Sequence, residues 1–144
     1  MNLFSFNEVT VHYNKKWKGP RITSSKDAFD LLLPNWDRID YQEAFYVILL
    51  TRGNTVLGVS KISIGSVSGT VADPKKIFQI SLAANAAAII LCHNHPSGDL
   101  RPSSNDNLVT KKCQEAGKFL EMPVLDHIIF SSESYFSYAD EGLL

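Results

Sequence analysis

Residues 93–106 read HNHPSGDLRPSSND, and this stretch decides how the rest of the chain is interpreted. Two imidazoles at positions i and i+2 of an extended backbone project to the same side, roughly 6–7 Å apart along it. His93 and His95 can therefore both bend onto one metal ion at about 2.0–2.1 Å. Asp106 follows at the predicted start of a helix and can add a carboxylate oxygen. Two neutral nitrogens and one carboxylate leave one position of a tetrahedral ion open, which is typical of a catalytic rather than a structural zinc site.

The second half of this stretch also has a structural interpretation. Ser103, followed three residues later by the acidic Asp106, is close to a capping box that opens a helix. The two interpretations are compatible, because the first turn of a helix favours a charged carboxylate and a metal ligand must be deprotonated. The H-x-H spacing alone is a weak signal, whereas the whole string H-x-H-P-x6-S-x-x-D is a strong one.

That string resembles the JAMM metal-binding motif of the MPN domain superfamily. The wider sequence, at residues 93–99, 102–103 and 124–129, is similar to the RadC-like branch of that superfamily. The resemblance runs from about residue 21 to the C-terminus. It implies a zinc hydrolase fold in which an upstream glutamate serves as acid and base.

The acid/base residue must lie elsewhere in the chain, because no glutamate stands beside the two histidines. Glu43 is the candidate, since it opens the apolar run AFYVILL at residues 44–50, and the end of a core strand can stand at the rim of a cleft. The pattern alone also fits a solvated residue at a strand end. In the family that the motif resembles, however, the acid/base glutamate stands at such a position before an apolar strand. Weaker rivals are Glu8, Asp37 and Asp40.

Several polar residues have more than one candidate role. Ser103 either caps the helix or donates to the oxyanion that develops when water attacks a carbonyl, and the resemblance favours the second role. Asp99 fits a turn residue better than a ligand. His127 is expected to be a satisfied, half-buried strand histidine, with Asp126 as a structural partner or one that orients a ligand. His12 has no companion residue and is interpreted as incidental.

Composition is typical of an ordinary globular domain. The 144 residues are 44% hydrophobic and 20% charged, and they suffice for one domain with a proper core. Cys92 and Cys113 are expected to be buried, reduced thiols, and Cys92 should point to the face opposite the histidines. No segment approaches the ~20 apolar residues of a membrane span, and the start lacks the layout of a secretion signal. We therefore expect a cytoplasmic protein.

Charge argues against nucleic acid as a partner. The formal net charge is −1, so no overall basic field exists to bind a phosphate backbone by counterion release. The one basic cluster is interpreted as a solvated turn and consists of Lys15, Lys16, Lys18 and Arg21.

Periodicity and turn residues predict an α/β (α+β layered) domain with a mixed sheet flanked by helices. The resemblance implies an MPN/JAMM metalloprotease-like architecture, similar to that of cytidine deaminases. Residues 1–20 are expected to form an extension that contains a strand packed on the domain, and residues 21–144 form the domain itself. Predicted helices span about 25–33 and 74–84, and a third begins after Ser103, with its residues 109, 113, 116 and 120 on one face. Predicted strands are 8–13, 44–50, 55–64, 87–92, 123–131 and 135–138.

Two functional hypotheses of different classes follow. The first is a zinc-dependent hydrolase that cleaves a peptide or isopeptide bond of a peptide or protein substrate, with Glu43 moving the proton and Ser103 steadying the tetrahedral intermediate. The second, suggested by the traditional name of the RadC-like group, is a DNA-repair accessory or nucleic-acid-binding domain with a metal site. Near-neutral charge and the lack of an aromatic and basic stripe count against the second. A metal-free scaffold is disfavoured because all ligand positions are filled.

Overall fold

A computed structural model of the chain describes Trp17 and residues 19–65 and 72–144. Within these residues helices and strands are interleaved along the chain, with two pairs of consecutive strands. In chain order the elements are α1 (Ser25–Leu32), a 3-10 turn (Leu33–Asn35), β1 (Ala44–Leu50), β2 (Val56–Ile64), α2 (Pro74–Ala83), β3 (Ala88–Asn94), α3 (Ser104–Phe119), β4 (Val124–Phe130) and β5 (Tyr135–Ser137).

The described strands form a single mixed sheet in the order β2-β1-β3-β4-β5. β3 and β4 are parallel, and α3 supplies the crossover that a parallel pair requires. The other neighbouring pairs are antiparallel. The predicted mixed sheet flanked by helices is therefore confirmed.

Helices cover both faces of this sheet. On the face covered by α1, Ala28 and Leu32 pack with strand residues such as Ile48. On the other face, the α2–α3 face, Ile77 and Val109 pack in a second cluster of buried residues. Because successive side chains of a strand point to opposite faces, β1 to β4 each contribute to both clusters, and the domain has three layers.

The helices begin where the sequence predicts. The Ser24 side chain caps α1 by accepting a hydrogen bond from the Asp27 amide at 3.3 Å. Asp73 caps α2, and Pro74 follows at the first helical position, where its missing N–H costs no hydrogen bond. α3 begins after Ser103, as predicted.

The predicted apolar face of α3 extends one residue too far. Cys113 is buried as expected, but α3 ends at Phe119, and Leu120 is 37% exposed. The chain reverses at Glu121, whose φ is 54°, and Met122 takes the buried position, its amide bonded to the Gly117 carbonyl at 2.8 Å. A Cβ on Gly117 would lie 2.4 Å from the Met122 carbonyl oxygen, so this close approach requires glycine.

The third strand runs further than predicted. Pairing with β1 continues to His93 and pairing with β4 continues to Asn94, whereas the expected strand ends at Cys92. Cys92 lies in the cluster on the α1 face, opposite the histidines, as predicted.

Some predictions concern residues outside the described part of the chain. They are the strand at 8–13, the extension up to residue 16, and three residues of the basic cluster, Lys15, Lys16 and Lys18. Arg21 of that cluster is described and forms an isolated bridge with Thr55. Among the described residues no helix has the length and apolar character needed to cross a membrane.

Candidate metal centre

Three predicted ligands come together at one end of β3. His93 lies within the strand, His95 directly follows it with its amide bonded to the Phe130 carbonyl at 3.0 Å, and Asp106 lies in the first turn of α3. The two Nε2 atoms of the histidines are 3.0 Å apart. His93 Nε2 is 3.1 Å from Asp106 Oδ1, and His95 Nε2 is 3.2 Å from Asp106 Oδ2.

These separations fit a metal-binding group. In a tetrahedral site with bonds of about 2.0–2.1 Å, neighbouring ligand atoms lie roughly 3.3 Å apart, which is close to the observed distances. His93, His95 and Asp106 together form a group that could hold a metal ion. Imidazole nitrogens and a carboxylate oxygen suit zinc and neighbouring transition metals.

The backbone fixes which nitrogen of His95 is available as a ligand. His95 Nδ1 lies 2.6 Å from the Asp99 carbonyl oxygen, and a carbonyl can only accept, so Nδ1 carries the proton. The Nε2 lone pair of a neutral His95 then points towards Asp106. The turn that returns Asp99 to this position includes Gly98, whose φ of 83° favours glycine.

Asp99 acts through its backbone, in agreement with its prediction as a turn residue. Its carboxylate pairs with the Arg101 guanidinium at 2.6 Å, and this contact lowers the pKa of Asp99 to about 2. The Asp99 side chain is not part of the group formed by the candidate ligands.

A capping box orients the Asp106 carboxylate. The Ser103 amide donates to Asp106 Oδ2 at 2.8 Å, and the Asp106 amide donates to Ser103 Oγ at 3.0 Å. Burial opposes ionisation of Asp106, but hydrogen bonds with His93 and His95 hold its pKa well below the usual range. The capping and ligand interpretations of this segment are thus compatible, and the cap leaves the Ser103 hydroxyl proton able to donate elsewhere.

Glu43 lies near one of the candidate ligands, His95. β1 pairs with β3 so that Phe45 faces His93, and the same register continued by two residues sets Glu43 opposite His95. Glu43 and His95 line one open cleft of about 690 Å³. The hydrogen bond with Asp106 raises the pKa of His95, and the charge of Glu43 adds to that rise.

The rival acid/base candidates are less suitably placed. Asp37 and Asp40 are exposed and do not line the cleft that contains Glu43. Glu8 lies outside the described residues. Glu43 therefore remains the candidate that shares a cleft with one of the three ligand residues.

Asn94, between the two histidines, has a role that the sequence did not indicate. Its side chain is fully buried, accepts from the Ala44 amide at 2.7 Å, and donates to the carbonyls of Ile39 at 2.7 Å and Gln42 at 2.9 Å. Both chain neighbours of Glu43 are thereby tied to the strand that carries the ligands. Nothing in the local pattern signals this, because the partners lie about fifty residues away in the chain.

Replacing Asn94 by alanine is expected to destabilise the protein by about 2–4 kcal/mol, because it leaves one buried and two half-buried backbone groups without their partner. Those groups belong to Ile39, Gln42 and Ala44. Urea denaturation measures the effect, with Asn35→Ala as the matched control. Asn35 is exposed, so its replacement should cost no more than about 0.5 kcal/mol. Equal stability of the two variants would contradict the anchoring role.

His127 is more buried than predicted. It was expected to be half-buried, but it is fully enclosed, because β4 is an interior strand covered on both faces. Its Nε2 lies 2.8 Å from His93 Nδ1, and its Nδ1 lies 2.6 Å from Thr110 Oγ1. Burial holds the pKa of His127 well below its usual range.

Asp126 supports the fold at a distance from the candidate ligands. Its carboxylate accepts from the hydroxyl of Ser137 at 2.6 Å and from the amides of His127 at 2.7 Å and Ala139 at 3.0 Å. Burial raises the pKa of Asp126. Of its two predicted roles, these contacts favour that of a structural partner, which fastens the segment after β5 to β4.

Comparison with known proteins agrees with the motif. The family described as RadC-like JAB domain matches residues 22–143. A UPF0758 protein of Flavobacterium johnsoniae is 42% identical over 123 residues, which make up 85% of this chain and 53% of that protein. A UPF0758 protein of Clostridium acetobutylicum is 39% identical over 130 residues, 90% of this chain and 56% of that protein. The chain thus spans about half the length of the curated relatives that it matches, and it belongs to the RadC-like JAB domain family.

Proposed function

We propose that the chain is a zinc-dependent hydrolase that cleaves an amide bond of peptide or isopeptide type. The observation that carries the proposal is the group formed by His93, His95 and Asp106, of which His95 lines one cleft together with Glu43. Hydrolysis of an amide by activated water requires ligands that hold a metal ion and a separate carboxylate that transfers the proton.

A zinc ion held by this group would supply Lewis acidity, which polarises a carbonyl and brings the pKa of water into the neutral range. In the proposed mechanism the Glu43 carboxylate takes a proton from the attacking water as the water oxygen bonds to the carbonyl carbon. The protonated Glu43 then gives that proton to the nitrogen as the C–N bond breaks. One carboxylate serves in turn as base and acid, and it ends the cycle in its initial charge state.

Ser103 is proposed to stabilise the charge that develops on the carbonyl oxygen. Its oxygen accepts from the Asp106 amide, so the hydroxyl proton is available to an acceptor on the exposed side of α3. A hydrogen bond that strengthens as the oxygen becomes anionic favours the transition state over the substrate.

The cleft supports a peptide or protein as the substrate. It is open, and its lining includes Tyr41, which is 83% exposed, as well as Arg38 and Arg101. An exposed aromatic ring and guanidinium groups can contact the backbone and side chains of an extended polypeptide.

Incubation with a diverse peptide and isopeptide library is expected to give cleavage that a chelator abolishes and added zinc restores. Product masses identify the bonds cut. The matched control is the His93→Ala/His95→Ala variant, which should be inactive with or without zinc. Cleavage that survives the chelator, or that the double variant performs equally well, would contradict the proposal.

A further inference from the structure

A buried hydrogen-bond chain links two of the candidate ligands behind the site. It runs from His93 Nδ1 to His127 Nε2 at 2.8 Å, from His127 Nδ1 to Thr110 Oγ1 at 2.6 Å, and from Thr110 Oγ1 to the Asp106 carbonyl at 2.6 Å. His127 and Thr110 are not members of the candidate ligand group, and neither lines the cleft shared by Glu43 and His95.

The direction of every hydrogen bond in this chain follows from its last member. The Asp106 carbonyl can only accept, so the single hydroxyl proton of Thr110 points to it. Thr110 Oγ1 must then accept from His127, which places the proton of His127 on Nδ1. His127 is fully buried, and its ring nitrogens contact a hydroxyl and a second imidazole rather than a carboxylate, which favours the neutral ring. A neutral imidazole has one proton, so Nε2 of His127 is an acceptor, and His93 Nδ1 donates to it.

This direction leaves the lone pair of His93 on Nε2. That atom is the one that faces His95 Nε2 at 3.0 Å and Asp106 Oδ1 at 3.1 Å. With the opposite direction, a proton would occupy Nε2 of His93 and block it as a ligand.

Aromatic packing holds the rings of the chain in place. The His127 ring stacks on Tyr138 with centroids 4.9 Å apart and an interplanar angle of 9°. Phe45 stacks on His93 with centroids 5.7 Å apart and an angle of 6°. Because both histidines are buried, water does not compete for their ring nitrogens.

We propose that His127 and Thr110 are positioning residues that fix His93 as the Nδ1–H tautomer and thereby present its Nε2 lone pair to the metal. The inference rests on the proposed metal site. The first turn of α3 then has two roles at the site. The Asp106 side chain supplies a ligand, and the Asp106 backbone carbonyl is the final acceptor that sets the direction of the hydrogen-bond chain.

Thr110→Val tests the proposal without touching a ligand, because it replaces the hydroxyl by a methyl group of similar shape. Thr110→Ser is the matched control that keeps the hydroxyl. Zinc affinity, measured by competition with a chromophoric chelator, is expected to fall about 10–100-fold in Thr110→Val and to remain near the wild-type value in Thr110→Ser.

Ring protonation of the metal-free protein gives a second readout that does not depend on activity or metal. Long-range ¹H–¹⁵N spectra of the four histidines should show the proton on Nδ1 in both His93 and His127, and Thr110→Val should lose that pattern. A proton on Nε2 of either ring in the wild type, or equal zinc affinity of the two variants, would overturn the inference. A wild type that binds no zinc would instead contradict the proposed function, and the ring protonation would still decide the hydrogen-bond chain.

Discussion

Replacing His93 and His95 together by alanine is expected to remove the metal from a protein that otherwise holds about one zinc ion per chain. The remaining carboxylate of Asp106 cannot retain a divalent ion against the buffer, because monodentate carboxylate binding is weak without the two imidazoles. Elemental analysis of protein purified without added metal measures this. All divalent transition metals are counted, since nickel acquired during purification would occupy the same ligands.

The matched control for this experiment is His12→Ala, which removes a histidine for which the sequence offers no companion residue. Its metal content should equal that of the wild type. Equal metal content in the wild type and the His93→Ala/His95→Ala variant would show that the ion is held elsewhere, and the ligand assignment would be wrong.

Glu43→Gln is expected to lower turnover by about 10²–10⁴-fold while the metal content and the melting temperature stay unchanged. Glutamine has the shape of glutamate but cannot take a proton from water or deliver one to the leaving nitrogen. Initial rates on a substrate from the peptide library, combined with elemental analysis, measure both properties. Glu115→Gln is the control, because Glu115 is exposed on α3 and does not line the cleft shared by Glu43 and His95.

Undiminished turnover of Glu43→Gln would exclude Glu43 as the acid/base residue. Loss of the metal together with the activity would identify Glu43 as a ligand instead. Only the combination of retained metal and lost turnover supports the proposed role.

The ligand group was predictable because its geometry is local. The spacing of His93 and His95 in an extended backbone sets both rings on one side. Ser103, three residues before Asp106, signals the start of the helix that presents the Asp106 carboxylate. The structure brings these residues together by the same two rules: alternation along a strand and a cap at a helix N-terminus.

The supporting residues were not predictable, because they depend on strand register. His127 reaches His93 only because β4 lies parallel to β3 with Leu91 opposite His127, and no short-range pattern encodes that alignment. Asn94 reaches the segment around Glu43 through the antiparallel pairing of β1 and β3. Glu43 itself was selected by resemblance, since a strand-end carboxylate is usually a solvated residue.

The spacing of the two histidines determines more than the distance between the ligands, because it also sets the direction in which Asn94 points. Consecutive side chains of an extended strand face opposite directions. An insertion or deletion of one residue at Cys92 would therefore move the following side chains of β3 to the opposite face of the sheet. The amide of Asn94 would then face the ligand side, and an imidazole would meet the backbone groups of Ile39 and Gln42 that now accept from Asn94. A single frame slip in β3 would thus abolish the metal site and the attachment of the Glu43 segment in the same step, which makes the length of this strand as constrained as its residues.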